Sequence, residues 1–343
     1  MSKRHLTIPL KIIVSAGLLY LVYRKVAPDW STVGGEMLSA LSQGYGWLIG
    51  ALVAVSIVFT ISPLRWRTIV HAHHGDIPFL QMFRLFLVGF FFGQFMPGGL
   101  AAGDVVRSYY ISCCTVDKKT ECVATVVIDR VMGSAGFLTI IVVSLLLWGG
   151  HLQLALTVLG GGAVLAIAIA LFFSRRVLRR LPFATWIHEH LPYRDRLERV
   201  YEAFRHYRHH SVRLLSCWGI SLGVQFLLVL AAYCVGQAVG IRATPLQYLI
   251  RVPLVGGITM IPISVGNIGL AEFGYAYFFL QPGAPEAYRS VVGAFALMMR
   301  LLWLFVAAIG GVIWLVERGK LSGGVPRGTE ASPAPRSAEE PEI

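Results

Sequence analysis

The chain has 343 residues, of which 56% are hydrophobic and only 14% charged, against about 25% charged in a soluble domain. That balance excludes a single soluble globular domain and points to a polytopic membrane protein. The formal net charge of +12 invites a nucleic-acid reading, but the basic residues lie in loops between apolar segments, where positive-inside orientation and attraction to anionic lipid account for them.

About 20 apolar residues cross a hydrocarbon core, and the spans follow from that length. Residues 8–23 form a short first span; no small-x-small cleavage site follows it, so it is expected to stay as a helix rather than act as a signal peptide. Residues 28–46 read as a polar, glycine-containing loop and 47–64 as the second span, closed by Arg65-Trp66-Arg67. After a loop at 71–78, residues 79–96 are apolar but carry Arg84. They run into a break, Phe95-Met-Pro-Gly-Gly-Leu-Ala-Ala-Gly-Asp104, with Arg107 just beyond it and a returning arm at 105–114. Residues 117–121 are an exposed loop; 123–148 and 152–173 are strong spans joined at Gly149-Gly150.

Residues 174–213 hold ten arginines, five histidines and four acids, the composition of a basic loop lying on anionic headgroups. A further span covers 214–239. Residues 244–261 carry Arg251 and enter a second break, Ile261-Pro-Ile-Ser-Val-Gly-Asn-Ile-Gly-Leu-Ala-Glu272, whose returning arm is 270–280. A loop at 281–289 precedes the last span, 291–316, with Arg300 near its middle. Residues 317–343 form a Pro/Ser/Glu-rich tail expected to be disordered.

Lys/Arg placement puts both termini and the 174–213 loop in the cytoplasm if 79–114 is a re-entrant hairpin entering from that side. The 244–280 hairpin then enters from outside. The expected fold class is an all-α polytopic membrane protein. It has six spanning helices and two re-entrant helical hairpins, arranged as an inverted repeat within residues 1–316. Each hairpin also admits a reading as two short spans, which leaves the orientation unchanged.

Charge within apolar sequence locates the chemistry. Arg84, Asp104, Arg107, Arg251, Glu272 and Arg300 each cost about 2.5–3.5 kcal/mol at a helix centre, so each is a functional candidate, with structural ion pairing as the alternative. Asp129 and Arg130 are expected to join them, with Arg65, Arg67 and Asn267. The excess of arginine favours a phosphate-bearing ligand. At the breaks, Pro97, Gly98, Gly99, Gly103, Pro262, Gly266 and Gly269 permit tight turns and close backbone approach.

The five cysteines, Cys113, Cys114, Cys122, Cys217 and Cys234, show no paired spacing and are expected to be free thiols. His71-x-His73-His74-x-Asp76 has ligand-like spacing, but four ligands in six loop residues do not readily close a tetrahedron, and no metal is expected. No nucleophile–base pair, Walker motif or nucleotide fingerprint appears. The chain therefore reads as neither an enzyme nor an ATP-driven pump, and no cofactor is expected.

Four motifs in order, Arg65-Trp-Arg67, Gly93-Gln-Phe-Met-Pro-Gly-Gly-Leu-Ala-Ala-Gly-Asp-Val-Val-Arg107, Asp129-Arg130-Val-Met-Gly133 and Pro262 to Glu272, resemble the transmembrane flippase-like domain of lysylphosphatidylglycerol synthases. The resemblance runs from about residue 5 to 320. The chain departs from the family pattern in Ala102-Gly103-Asp104 for Gly-Gly-Asp, in Asp129-Arg130 for Glu-Arg, and in Val265-Gly-Asn-Ile-Gly269 for Gly-Gly-x-Gly. Those synthases carry a soluble domain after the membrane part, whereas 27 residues follow Val316 here; the resemblance thus implies translocation without aminoacyl transfer. The expected function is flippase-like movement of a phospholipid or glycolipid across a bacterial inner membrane. Expected partners are anionic lipids and lipid-synthesis enzymes, with oligomeric state open. Two other classes remain: a scaffold recruiting lipid-modifying enzymes through 174–213, and an intramembrane lipid enzyme.

Overall fold

The computed structural model describes residues 4–26, 30–71, 77–97, 99–113, 119–147, 160, 211–259, 263–280 and 283–322. Among them the elements are helices: α1 (Arg4–Val26), α2 (Trp30–Gln43), α3 (Tyr45–Val70), α4 (Phe79–Phe95), α5 (Leu100–Cys113), α6 (Lys119–Leu147), α7 (Ser211–Val239), α8 (Pro245–Thr259), α9 (Leu270–Phe279) and α10 (Glu286–Ser322). The chain is an all-α membrane protein, as expected. Among the described residues, four helical stretches are long and apolar enough to cross a bilayer: Tyr45–Val70, Ala124–Leu147, Val212–Val239 and Glu286–Glu317. The helix α1 has a shorter apolar stretch, Lys11–Val22.

Several boundaries differ from the sequence reading. The expected 28–46 loop contains α2, which buries Val33 and Ala40, packs on α10 and bonds to it through Thr32 and Ser290 (2.9 Å). Arg65 and Arg67 do not end the second span; α3 continues to Val70 because Arg65 finds a buried carboxylate on α6. The helix that carries the last span begins at Glu286 and runs to Ser322, so the first residues of the expected tail are helical. Likewise α7 starts at Ser211, inside the expected basic loop. The expected span 152–173 lies outside the described residues apart from Gly160, as do residues 174–210 of the basic loop, His73-His74-x-Asp76 and the tail beyond Ser322. Cys113, Cys217 and Cys234 are free thiols.

Both breaks form hairpins. The arms α4 and α5 pack on each other, as do α8 and α9. At 17, 14, 15 and 10 residues, these arms reach only about 15–25 Å at 1.5 Å per residue, less than the roughly 30 Å of a hydrocarbon core. In the first hairpin the arms cross at Gly89 and Gly103, where a Cβ on Gly103 would strike the Gly89 carbonyl.

The two halves of the chain reuse one packing pattern. The helix before each hairpin packs on its first arm (α3 on α4, α7 on α8), and the helix after it packs on its second arm (α6 on α5, α10 on α9). The halves then interlock reciprocally: α4 lies on α10, α8 lies on α6, and α3 runs along α7. The match is not complete. The helix α7 also packs extensively on α6, with no counterpart of similar extent between α3 and α10.

The hairpin tips meet. Pro97 and Val265 form an isolated antiparallel bridge, and the Asn267 side chain packs against Gly99. Non-helical backbone inside a membrane bundle must be satisfied by protein. Here the Val265 N–H donates to Ser15 Oγ of α1 at 3.0 Å, and Arg300 donates to the carbonyls of Gly266 (3.4 Å) and Asn267 (2.8 Å). Gly266 has φ +56°, and a Cβ there would fall on the Gln94 carbonyl of the opposite hairpin. Gly266→Ala should therefore lower the stability of the detergent-solubilised protein by about 2–5 kcal/mol in thermal unfolding, strain and overpacking adding. Gly35→Ala, in open space on α2, should change it by less than about 1 kcal/mol.

Candidate functional site

The hairpin carboxylates each hold an arginine of the next long helix. Asp104, on α5, receives Arg130 Nε (2.5 Å) and Nη2 (2.7 Å) from α6. Glu272, on α9, receives Arg300 Nε and Nη2 (3.0 Å) from α10. Both pairs are side-on and bidentate, and the partners stand 26 and 28 residues apart. Bidentate guanidinium–carboxylate geometry fixes orientation as well as distance, so each hairpin is locked to the helix that follows it.

The first pair is part of a longer chain of charges. Asp104 and Arg107 share a face of α5 at i,i+3 spacing, and Arg107 Nη1 reaches Asp104 Oδ1 at 3.4 Å. Arg107 Nη2 bonds Asp129 Oδ2 on α6 at 3.2 Å, and Arg65 Nε of α3 bonds Asp129 Oδ1 at 2.9 Å. Arg65 Nη1 then donates to Ser221 Oγ of α7 at 2.7 Å. Neighbouring residues on α6 thus serve different partners: Asp129, 1% exposed, points into the bundle, while Arg130 turns toward α5 with 43% of its side chain exposed. Arg107 is 3% exposed and held between two rings, its Cζ 4.1 Å from the Trp66 centroid and 4.6 Å from that of Phe86. Cation–π contact offsets part of the desolvation cost of such a guanidinium.

A cavity of about 210 Å³ opens beside this chain of charges. Arg65, Arg107, Asp129 and Arg130 line it together with an aromatic cluster of Phe59, Phe90 and Trp303. Gly133 on α6 leaves room for the Arg65 guanidinium, whose nitrogens lie 3.5 Å from where a Cβ would sit. The wall therefore combines cationic donors with an apolar face. Among the described residues no group of three or more His, Cys, Asp or Glu side chains is placed to hold a metal, and Asp104 and Asp129 are both engaged by guanidinium groups.

Of the sequence-predicted residues, Arg65, Asp104, Arg107, Asp129 and Arg130 come together at the cavity. Asn267, Glu272 and Arg300 form a second cluster at the hairpin tips, joined to the first hairpin by Arg300 Nη1 to Gln94 Oε1 at 3.3 Å. This cluster does not line the cavity. Three candidates lie elsewhere. Arg84 pairs with Glu317 at 2.8 Å, both partly exposed; Arg67 Nε donates to the Ile77 carbonyl at 3.0 Å; Arg251 lies 5.4 Å from the Phe279 ring centroid, its Nη1 buried without a partner. Among the turn residues, Pro97, Gly99, Gly266 and Gly269 sit at the tips and Gly103 at the arm crossing, while Gly98 and Pro262 fall outside the described residues. Sequence reasoning missed Gln94, Ser221, Trp66, Phe86 and the aromatic wall, which carry no charge to mark them in apolar sequence.

Removing Asp129 strands two buried guanidinium groups. Asp129→Ala should destabilise the protein by about 3–5 kcal/mol in thermal unfolding, whereas Arg84→Ala, which loses a surface pair, should cost less than about 1 kcal/mol.

The comparisons with known proteins agree with this architecture. The family model described as "Lysylphosphatidylglycerol synthase TM region" matches residues 8–311. A UPF0104 membrane protein of Pyrococcus horikoshii is 21% identical over 314 residues, covering 85% of this chain and 93% of that protein. A UPF0104 membrane protein of Methanothermobacter thermautotrophicus is 22% identical over 304 residues, covering 81% and 87%. One from Methanocaldococcus jannaschii is 30% identical over 92 residues, 27% of each chain. No solved structure matches. With the family model spanning nearly the whole chain, from α1 into α10, this multi-pass membrane protein belongs to the lysylphosphatidylglycerol synthase transmembrane-region family.

Proposed function

We propose that the protein translocates a phospholipid or glycolipid across the plasma (inner) membrane, without catalysing a covalent reaction. The observation that carries this reading is the cavity itself. Three arginines and an aromatic cluster share one wall inside a bundle of apolar helices, so a phosphate-bearing headgroup and the start of its apolar tail find partners in the same chamber. Charge at this depth is costly unless it is paired or used.

Two features of the architecture support the inverted-repeat reading. The two side-on arginine–carboxylate pairs have the same geometry, and the hairpin tips meet through Pro97 and Val265. In this reading the short-armed hairpins are re-entrant from opposite faces, both termini are cytoplasmic, and the tip contact separates the two sides of the membrane. Membrane lipids are the partners, with the enzymes that make them on the cytoplasmic side.

The protein reconstituted in vesicles should accelerate transbilayer movement of a fluorescent phospholipid, read by the fraction quenched by an impermeant reductant. Arg130→Ala should slow movement about tenfold or more, the weight of one or two charge-assisted hydrogen bonds. Gly133→Leu, which fills the cavity beside the Arg65 guanidinium without changing the number of charges, should do the same, and Arg24→Gln, exposed on α1, should not. Unchanged transfer by the two cavity variants would remove the proposed site.

A further inference from the structure

The charge of the cavity wall can be counted. Arg65, Arg107 and Arg130 bring three positive charges, and the carboxylates they bond, Asp104 and Asp129, bring two negative ones. The nearby Arg300–Glu272 pair is neutral by itself. One positive charge is left over beside a partly open cavity of about 210 Å³ among apolar helices. Uncompensated charge in such surroundings is unfavourable, and so is overcompensation.

The donors are distributed in the same sense. Arg65 Nη2 and Arg130 Nη1 donate no hydrogen bond to a described residue, and Arg107 Nε is buried without a partner. Arg65 and Arg130 thus retain donors beside one chamber, which suits the oxygens of a tetrahedral anion. The volume lies below the roughly 300–1,000 Å³ of drug-sized pockets, which favours a small headgroup over an oligosaccharide.

We infer that the cavity selects a lipid whose headgroup carries one net negative charge on a phosphodiester, with Phe59, Phe90 and Trp303 against its glycerol and first methylenes. The inference rests on the reading of a lipid as guest and adds its charge class. A phosphomonoester lipid brings close to two negative charges and leaves the chamber negative. A zwitterionic headgroup leaves the surplus in place. Lysylphosphatidylglycerol, the lipid in the family's description, has two amines against one phosphodiester and would raise the count to two positive charges.

The test is a charge series on the full-length protein in detergent, with bound lipid quantified by native mass spectrometry. The probes are short-chain phosphatidylglycerol, phosphatidic acid, phosphatidylcholine and lysylphosphatidylglycerol, together with deacylated glycerophosphoglycerol. Phosphatidylglycerol should bind about tenfold or more tighter than each of the other lipids, the scale of one charge-assisted hydrogen bond. Arg130→Gln reduces the count to zero and should move the preference to phosphatidylcholine. Asp104→Asn raises it to two and should move the preference to phosphatidic acid. These opposite shifts are not expected from a merely structural role, and if one variant fails to fold the other still decides. The same rank order in wild type and variants, or phosphatidic acid binding the wild type as tightly as phosphatidylglycerol, would overturn the charge rule while leaving a lipid guest in place. Glycerophosphoglycerol binding as tightly as phosphatidylglycerol would overturn the lipid-specific part. Binding of none of the lipids would overturn the lipid reading itself.

Discussion

Asp104 and Glu272 each grip an arginine of the next long helix through both carboxylate oxygens, and the rest of the structure depends on that grip. A chain that breaks helix inside a membrane leaves backbone groups without partners, and water is not there to supply them. The arginine solves this at the second break, where one guanidinium holds Glu272 and also donates to the Gly266 and Asn267 carbonyls. The carboxylate completes the arrangement by accepting the Gly269 N–H at 2.8 Å. Charge and irregular backbone, each costly alone, satisfy one another.

The same device does different work in the two halves. Around Glu272 and Arg300 it is closed: side-chain exposures are 4% and 12%, and the free donors go to the hairpin tips. Around Asp104 and Arg130 it is open, with Arg130 43% exposed and Arg107, Asp129 and Arg65 added beyond it. The helix α7 runs along α3 and brings Ser221 to Arg65, and the cavity lies by the extra contact of α7 with α6, where the halves stop matching. One half supplies a structural latch at the tips and the other a polar chamber. A shared packing pattern permits both, because the latch needs only two residues.

The breaks and the intramembrane charges were legible in the sequence because apolar surroundings make them conspicuous. Their pairing was not. Asp104 meets Arg130 across 26 residues and Asp129 meets Arg65 across 64, separations at which no local periodicity relates two positions. The α2 segment read as a loop because Gly34, Gly35 and Glu36 interrupt its apolar pattern, yet packing against α10 holds it helical. Arg65 and Arg67 looked like one interfacial pair. A difference of two residues on a helix turns their side chains about 200° apart, sending Arg65 into the bundle and Arg67 to the Ile77 carbonyl.

By itself the sequence determined an all-helical membrane protein with two hairpins, their turn residues and the set of charges that lie in apolar sequence, since hydrocarbon-length apolar runs and their interruptions are local properties. Only the tertiary structure decided which charges meet, that a chain of them runs from Arg65 to Arg130 while Glu272 and Arg300 close the hairpin tips, and that one positive charge is left over beside a cavity. Those outcomes depend on helix rotation and on contacts between distant segments, where a guanidinium reaches a carboxylate only if both helices turn the right face to each other.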